Sequence, residues 1–152
     1  MESISWDVET MGVMTKKYQT LQECLVTDCN VYCPADTHKC MKVKQVLWDT
    51  GSTGTLISAQ IVSSLGLLPI GKVGVSGYNK GVDVKNLYLV HIGLPTGDVV
   101  LNVQAMECDS EDYDVVLGMD IINQGDFAFT NKDGQSVFSF RIPSKEHIEL
   151  TE

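Results

Sequence analysis

The sequence predicts one mainly β domain that closes into a barrel and carries one or two short helices. The chain has 152 residues, of which 43% are hydrophobic, and this length suits one domain with a core of its own. Short stretches rich in β-branched residues recur along it between turn residues, and only two short segments have helical spacing. Many short strands with little helix are typical of barrel-like β proteins.

The domain is expected to cover residues 20–143. Residues 1–19 show no sustained hydrophobic period, which indicates an extension or a flexible start. Residues 144–152 have the composition of a charged C-terminal tail. The first residues lack the continuous apolar stretch that a secretion signal or a membrane span needs, so the cytoplasm is the expected location.

Seven stretches have the composition of strands. They are residues 21–33, 40–48, 86–92, 99–106, 115–118, 127–130 and 136–142. The first two form a predicted hairpin, because Pro34 and Asp36 between them are turn formers. Asp133-Gly134 is a strong hairpin signal between the last two.

Two segments have helical features. Residues 58–65 begin with a capping serine, place Ile61 and Leu65 on one face and end before Gly66. Residues 119–123 can form a single helical turn. The sequence therefore predicts one helix of about two turns and one shorter helix.

The most informative motif is Asp49-Thr-Gly-Ser52, which follows the apolar end of the second predicted strand. These residue types are also ordinary turn formers, so Asp49 could simply cap a loop through neighbouring backbone amides. A second element argues against that alternative. Val116-Leu-Gly118 combines two apolar residues with a glycine much further along the chain and precedes the second predicted helix.

Together these two motifs resemble those of the retropepsin-like aspartic proteases, the family of retroviral proteases and their bacterial and eukaryotic relatives. The resemblance covers roughly residues 24–143. It joins the catalytic loop, the helix-forming segment after it, a glycine-rich flap candidate near residues 74–81 and the apolar-apolar-glycine element, in the family's order. It implies a retropepsin-like acid protease barrel and an aspartic endopeptidase that hydrolyses peptide bonds.

The resemblance also implies a homodimer. The chain has one Asp-Thr-Gly-Ser motif, whereas two-lobed pepsin-like enzymes carry two such loops in a longer chain. Asp49 of each copy is therefore expected to supply one catalytic carboxylate at a twofold axis. Two adjacent carboxylates share one proton, so the pair can deprotonate a water while it polarises the scissile carbonyl. No metal or organic cofactor is expected, and the expected partners are a second copy and a peptide or protein substrate.

Roles for the neighbours of Asp49 follow from the same resemblance. Thr50 is expected to hydrogen-bond across the dimer axis, and Gly51 to let the substrate backbone approach closely. Ser52 stands where many retroviral members have alanine. Its hydroxyl is expected to donate to the catalytic carboxylate and to favour the charged form.

Gly77 and Tyr78 lie in the flap candidate, where an aromatic tip suits a flap that closes over an extended peptide. An exposed turn tyrosine explains Tyr78 equally well. The loop at Thr50 and the terminal strand at residues 136–142 are candidate dimer contacts, by resemblance to the family's interleaved termini.

One departure from the family concerns charge. The family often pairs an acidic residue just after the catalytic loop with a basic residue just after the second glycine. Thr53 and Met119 occupy those places here. The dimer-stabilising contacts of retroviral members therefore do not transfer directly to this chain.

Trp48 lies next to Asp49, and strand alternation points the two side chains in opposite directions. Core packing is therefore preferred to a place in a substrate pocket.

Four of the five cysteines lie near the start of the chain, at Cys24, Cys29, Cys33 and Cys40. A zinc site is one interpretation, but the close Cys-x-x-Cys spacing of structural zinc is absent. Reduced thiols packed in or beside the predicted hairpin are preferred, because an odd number of cysteines without an export signal does not suit a disulfide framework.

The composition weighs against two classes of partner. The chain has 20 acidic and 11 basic residues and a net charge of -9. That charge repels nucleic acid and anionic membrane surfaces. The alternative to an endopeptidase is a catalytically weak module of the same fold that binds peptides or dimerises.

Overall fold

The computed structural model describes residues 12–76 and 81–152. Within these ranges the chain forms ten strands, two short α-helices and one 3₁₀ turn. The strands are β1 (Val13–Lys17), β2 (Leu25–Cys33), β3 (Asp36–Trp48), β4 (Leu56–Ser58), β5 (Gly71–Ser76), β6 (Val82–Gly93), β7 (Val99–Cys108), β8 (Val115–Leu117), β9 (Asp126–Thr130) and β10 (Val137–Arg141). The helices are α1 (Ala59–Leu65) and α2 (Met119–Ile122), and the 3₁₀ turn is Lys132–Gly134. The predicted mainly β fold with one or two short helices is confirmed.

Six strands close into a barrel in the order β2-β3-β8-β4-β7-β6, and β6 pairs back with β2 to complete the ring. β5 pairs with β6 as an additional strand beside the ring. β8 runs parallel to β3 on one side and antiparallel to β4 on the other. Because β3 precedes the Asp49 loop and β4 follows it, both ends of that loop are fixed to the same strand.

β1, β10 and β9 form a separate antiparallel sheet with β10 in the middle. Phe138 and Phe140 of β10 pack on Trp48, with ring centroids 5.3 and 4.9 Å apart. The Trp48 indole nitrogen donates to Thr27 Oγ1 at 2.9 Å, so the buried ring has a partner for its polar atom. The prediction that Trp48 is a core residue is confirmed.

Helix α1 has the ends that the sequence predicts. The Ser58 hydroxyl accepts the Ile61 amide at 3.3 Å, and Gly66 ends the helix with φ of 61°. This left-handed conformation is easily adopted by glycine. Ile61 and Leu65 are the buried residues of the helix.

The structure differs from the predicted organisation at the start of the chain. Residues 13–17 lie in the predicted extension but form β1, which pairs with β10 from Val13 opposite Arg141 to Lys17 opposite Val137. The segment is short and its exposed face is polar, so its order comes from pairing with a distant strand rather than from a local pattern. β3 also begins at Asp36, directly after Pro34 and Ala35, earlier than its predicted start at residue 40.

Residues 144–152 contain no helix or strand. No helix in the described part of the chain is long and apolar enough to cross a membrane.

Candidate active site

Asp49 follows the last residue of β3 and is anchored to β8. Its backbone amide donates to the Leu117 carbonyl at 2.9 Å. Trp48 points into the core and is 4% exposed, while Asp49 on the other side of the strand is half-buried. The end of β3 therefore places a carboxylate at the surface, directly after the last paired residue of the strand.

The loop after Asp49 turns tightly around the carboxylate. The Gly51 amide donates to Asp49 Oδ1 at 2.8 Å, and the Ser52 amide donates to the Asp49 carbonyl at 3.2 Å. Asp49 Oδ2 makes no hydrogen bond within the described residues of the chain. Thr50 and Gly51 are exposed. Asp49 thus caps its own loop with one oxygen and keeps the other available.

The expected role of Ser52 is not what the geometry shows. Its hydroxyl donates to the Gly54 carbonyl at 2.7 Å instead of to Asp49. A hydroxyl has a single proton to donate, so this bond uses it. The tight turn directs Ser52 along the loop, where it stabilises the turn itself.

The second motif packs directly on this loop. The Met119 amide donates to the Ser52 carbonyl at 2.8 Å, and the Asp120 amide donates to the Thr53 carbonyl at 3.2 Å. A Cβ atom at Gly118 would lie 2.7 Å from the Ser52 carbonyl oxygen. The apolar-apolar-glycine element needs its glycine because the loop backbone occupies the place of a side chain.

Asp120 also bonds to the loop, and its sequence context did not single it out. Its carboxylate accepts the amide of Thr55 at 3.0 Å through Oδ2 and the hydroxyl of Thr55 at 3.0 Å through Oδ1. Thr55 is the last residue of the loop and is fully buried. The signal available in the sequence was an acidic residue just after Gly118-Met119.

A row of aliphatic side chains crosses the barrel wall beside Asp49. Pairing partners in neighbouring strands point to the same face of a sheet, and each member of the row is the partner of the next. The members, in order across five strand pairs, are Val26, Leu47, Val116, Leu56, Met106 and Leu87. Leu47 precedes Asp49 by two positions, so both point to the same face. Five of the six are half-buried, and Val116 is 5% exposed.

The predicted flap residues Gly77 and Tyr78 lie outside the residues that the structure describes. The strands on either side of them are described, and they pair as a hairpin from Gly71 opposite Leu87 to Ser76 opposite Val82. Val82 is 73% exposed, so the hairpin extends away from the core at this end.

The early cysteines lie in and beside the β2–β3 hairpin. Cys29 and Cys33 are buried, Cys24 and Cys40 are exposed, and all are free thiols. Burial, with smaller contributions from Asp28 and Cys40, raises the pKa of Cys29 to about 12. Among residues 12–76 and 81–152, no group of three or more His, Cys, Asp and Glu side chains is placed to hold a metal ion.

Comparison with known proteins gives the family. The sequence profile of an aspartyl protease family matches residues 40–121, more than half of the chain, from within β3 to α2. The chain belongs to the aspartyl protease family. The matched part of this aspartyl protease homologue contains the Asp49 loop, every member of the aliphatic row except Val26, and residues 118–120, which contact the loop.

The fold of this family member is retropepsin-like, as the resemblance implied. The crystal structure of a retropepsin-like aspartic protease from Rickettsia conorii superposes with a TM-score of 0.53 and 12% identity, covering 93% of this chain and 99% of that chain. The retroviral protease-like domain of Ddi1 from Leishmania major is also similar, with a TM-score of 0.45 and 14% identity over 76% of this chain and 93% of that chain. Comparison with curated protein sequences finds no significant match.

Proposed function

We propose that this chain is an aspartic endopeptidase whose active site is built from two copies, each supplying Asp49. The observation that carries the proposal is the state of this one carboxylate. The Asp49 carboxylate accepts the Gly51 amide through Oδ1, and Oδ2 makes no hydrogen bond within the described part of the chain. The loop that carries it is exposed, and pairing with β8 fixes both of its ends. The family match supports the reaction class.

The chemistry follows from bringing two such carboxylates together. At roughly 3 Å apart, two carboxylates cannot both ionise cheaply and therefore share one proton. The ionised oxygen takes a proton from a bound water while the protonated group polarises the scissile carbonyl. Attack of the water gives a tetrahedral gem-diol, and the pair then returns a proton to the leaving amine. Activity is expected to be highest at acidic to mildly acidic pH, where one proton remains on the pair.

The substrate proposed is a peptide in extended conformation. The aliphatic row beside Asp49 offers half-buried apolar surface, which favours apolar side chains near the scissile bond. The β5–β6 hairpin is proposed to carry the flap, with Gly77 and Tyr78 at its tip. A hairpin of this kind closes over a peptide by bonding to its backbone.

The proposed dimer brings the exposed loops at Thr50 together around a twofold axis. The other dimer contact expected from the sequence, the terminal strand at residues 136–142, has no free strand edge within one chain. β10 is the middle strand of its sheet, and β1 and β9 already pair with both of its edges. We therefore propose that β10 does not pair with a strand of a second copy. β9 is paired on one side only among the described strands, so its other edge is the better candidate.

The proposed function is tested with Asp49→Asn. Asn is nearly isosteric, but it cannot accept a proton from water, so peptide cleavage is expected to fall by roughly 10²–10⁴-fold or more. Cleavage of a mixed peptide library at pH 4–6 is measured by mass spectrometry, together with the melting temperature. Asp133→Asn, in the exposed turn between β9 and β10, is the matched control and is expected to retain full activity.

Cleavage by D49N at the wild-type rate would contradict the mechanism. A folded wild type that binds peptides but cleaves none across the acidic range would favour the alternative, a peptide-binding module of the same fold. Adding excess D49N chain to wild type distinguishes a site shared by two chains from a site that is complete within one chain. Mixed dimers contain only one Asp49, so they are inactive if the site is shared. The shared site predicts that activity falls as D49N is added.

A further inference from the structure

Thr55 ends the catalytic loop, and Asp120 holds it there by two bonds. One carboxylate oxygen accepts the Thr55 amide and the other accepts the Thr55 hydroxyl, both at 3.0 Å. Oδ1 also accepts the Ile121 amide at 3.0 Å, which fixes the carboxylate on α2. The Thr55 carbonyl accepts the Met106 amide at 3.0 Å. Every polar atom of this buried threonine is therefore bonded.

These hydrogen bonds join α2 to the loop in a chain that lacks the ion pair expected from the family. Thr53 and Met119 cannot form an ion pair, yet α2 still holds the loop through Asp120. Hydrogen bonds to an ionised acceptor are about twice as strong as neutral ones. Two of them on one residue also fix its orientation. The brace lies within a single chain, so it does not need a second copy to form.

We propose that Asp120 is a positioning residue that sets the geometry of the Asp49 loop before two chains associate. The inference rests on the proposed function for its kinetic consequence only. Asp120 acts through the loop backbone: it holds Thr55, α2 holds the Ser52 and Thr53 carbonyls, and the Gly51 amide then meets Asp49 Oδ1. Displacing a catalytic group by about 1 Å can cost on the order of 100-fold in rate.

The kinetic test compares Asp120→Asn with Asp133→Asn, which makes the same chemical and charge change in an exposed turn. The Asn amide nitrogen is a donor, so it cannot accept from both donors of Thr55. We expect D120N to lower kcat by about tenfold or more while KM and the dimer dissociation constant stay within about twofold. D133N is expected to match wild type in kcat, KM and the dimer dissociation constant.

Thr55→Val gives the second arm, because it removes the hydroxyl and keeps the amide. Its effect on kcat is expected to be smaller than that of D120N, and the double variant to be less impaired than the product of the two single effects. If the two substitutions lowered kcat by independent, multiplicative factors, the proposal that Asp120 acts through Thr55 would be overturned. A D120N enzyme with wild-type kcat, or one whose loss of activity follows loss of the dimer alone, would overturn it as well.

A second readout does not depend on cleavage, so it separates this inference from the proposed function. In ¹⁵N-labelled protein, the Thr55 amide shift is expected to change in D120N and not in D133N, because only the first substitution replaces an oxygen that accepts from Thr55. The Gly51 amide shift should change in D120N and not in D133N. An unchanged Gly51 amide in a folded D120N chain would overturn the inference even if the wild type cleaves no peptide.

Discussion

At the scale of single residues, the site depends on how little space surrounds the Asp49 loop. Gly118 lies so close to the Ser52 carbonyl that a methyl group there would force backbone apart. Gly54, in the same loop, has open space around it, because no atom lies within 4 Å of the place that a methyl group would take. Of these two glycines, Gly118 is the one whose surroundings exclude a side chain.

These two residues give a matched pair of variants. Gly118→Ala is expected to reduce the free energy of unfolding by about 1–3 kcal/mol or more, because overpacking against backbone cannot be relieved by a side-chain rotation. Gly54→Ala is expected to stay within about 0.5 kcal/mol of wild type. Urea unfolding of both variants measures the difference. Equal free energies of unfolding for the two variants would contradict this, because the loop backbone would then have moved to accommodate the methyl group at position 118.

The sequence was sufficient to predict that Asp49, Thr50 and Gly51 lie together in one loop, because their motif is continuous in the chain. It did not reveal Asp120, whose partner Thr55 is brought near only when β4 and β8 pair. It also misplaced the Ser52 hydroxyl bond, since residue identity does not say which acceptor a tight turn presents. Contacts made across the chain need the fold.

At the scale of elements, the strands and helices with strong local signals were predictable. α1 has a serine cap and a glycine at its end, and the β9–β10 hairpin has Asp-Gly in its turn. β1 lacked such a signal, because it is stabilised by pairing with a strand at the other end of the sequence. Local patterns likewise did not show that β2 and β6 are the strands whose pairing closes the barrel.

The tail after β10 is tied to the first residue of β9. The amide of Lys145 at 2.8 Å, the hydroxyl of Ser144 and the Arg141 guanidinium at 2.7 Å all donate to the Asp126 carboxylate. These bonds, the Lys145 amide first among them, hold the pKa of Asp126 well below its ordinary value. A lowered pKa in the folded state means that the ionised carboxylate stabilises the fold.

The lowered pKa of Asp126 predicts how the stability of the fold changes with pH. The stabilisation is complete above the ordinary aspartate pKa of about 4 and declines as pH falls below it, because the unfolded chain takes up the proton first. Asp126→Asn is therefore expected to be less stable than wild type at pH 7 and closer to it at pH 3. Urea unfolding at both pH values tests this, with Asp133→Asn as control. A stability difference that is the same at both pH values would contradict the account.

At the scale of the whole molecule, the proposed active site needs two chains, each of which supplies one Asp49. The barrel presents Asp49, its braced loop and an aliphatic row, while the terminal sheet packs beneath Trp48 through Phe138 and Phe140. A single Asp49 can supply one carboxylate, and the proposed water activation needs two. The family match and the fold are consistent with this division between two copies.

The central claim is that two Asp49 carboxylates share one site, and the distance between them in a crystal structure of the protein grown at acidic pH tests it most directly. The account predicts a twofold axis between the loops, with a carboxylate oxygen of Asp49 about 3 Å from one of Asp49 of the partner subunit. A monomer, or a dimer whose two Asp49 side chains face solvent far from each other, would contradict it.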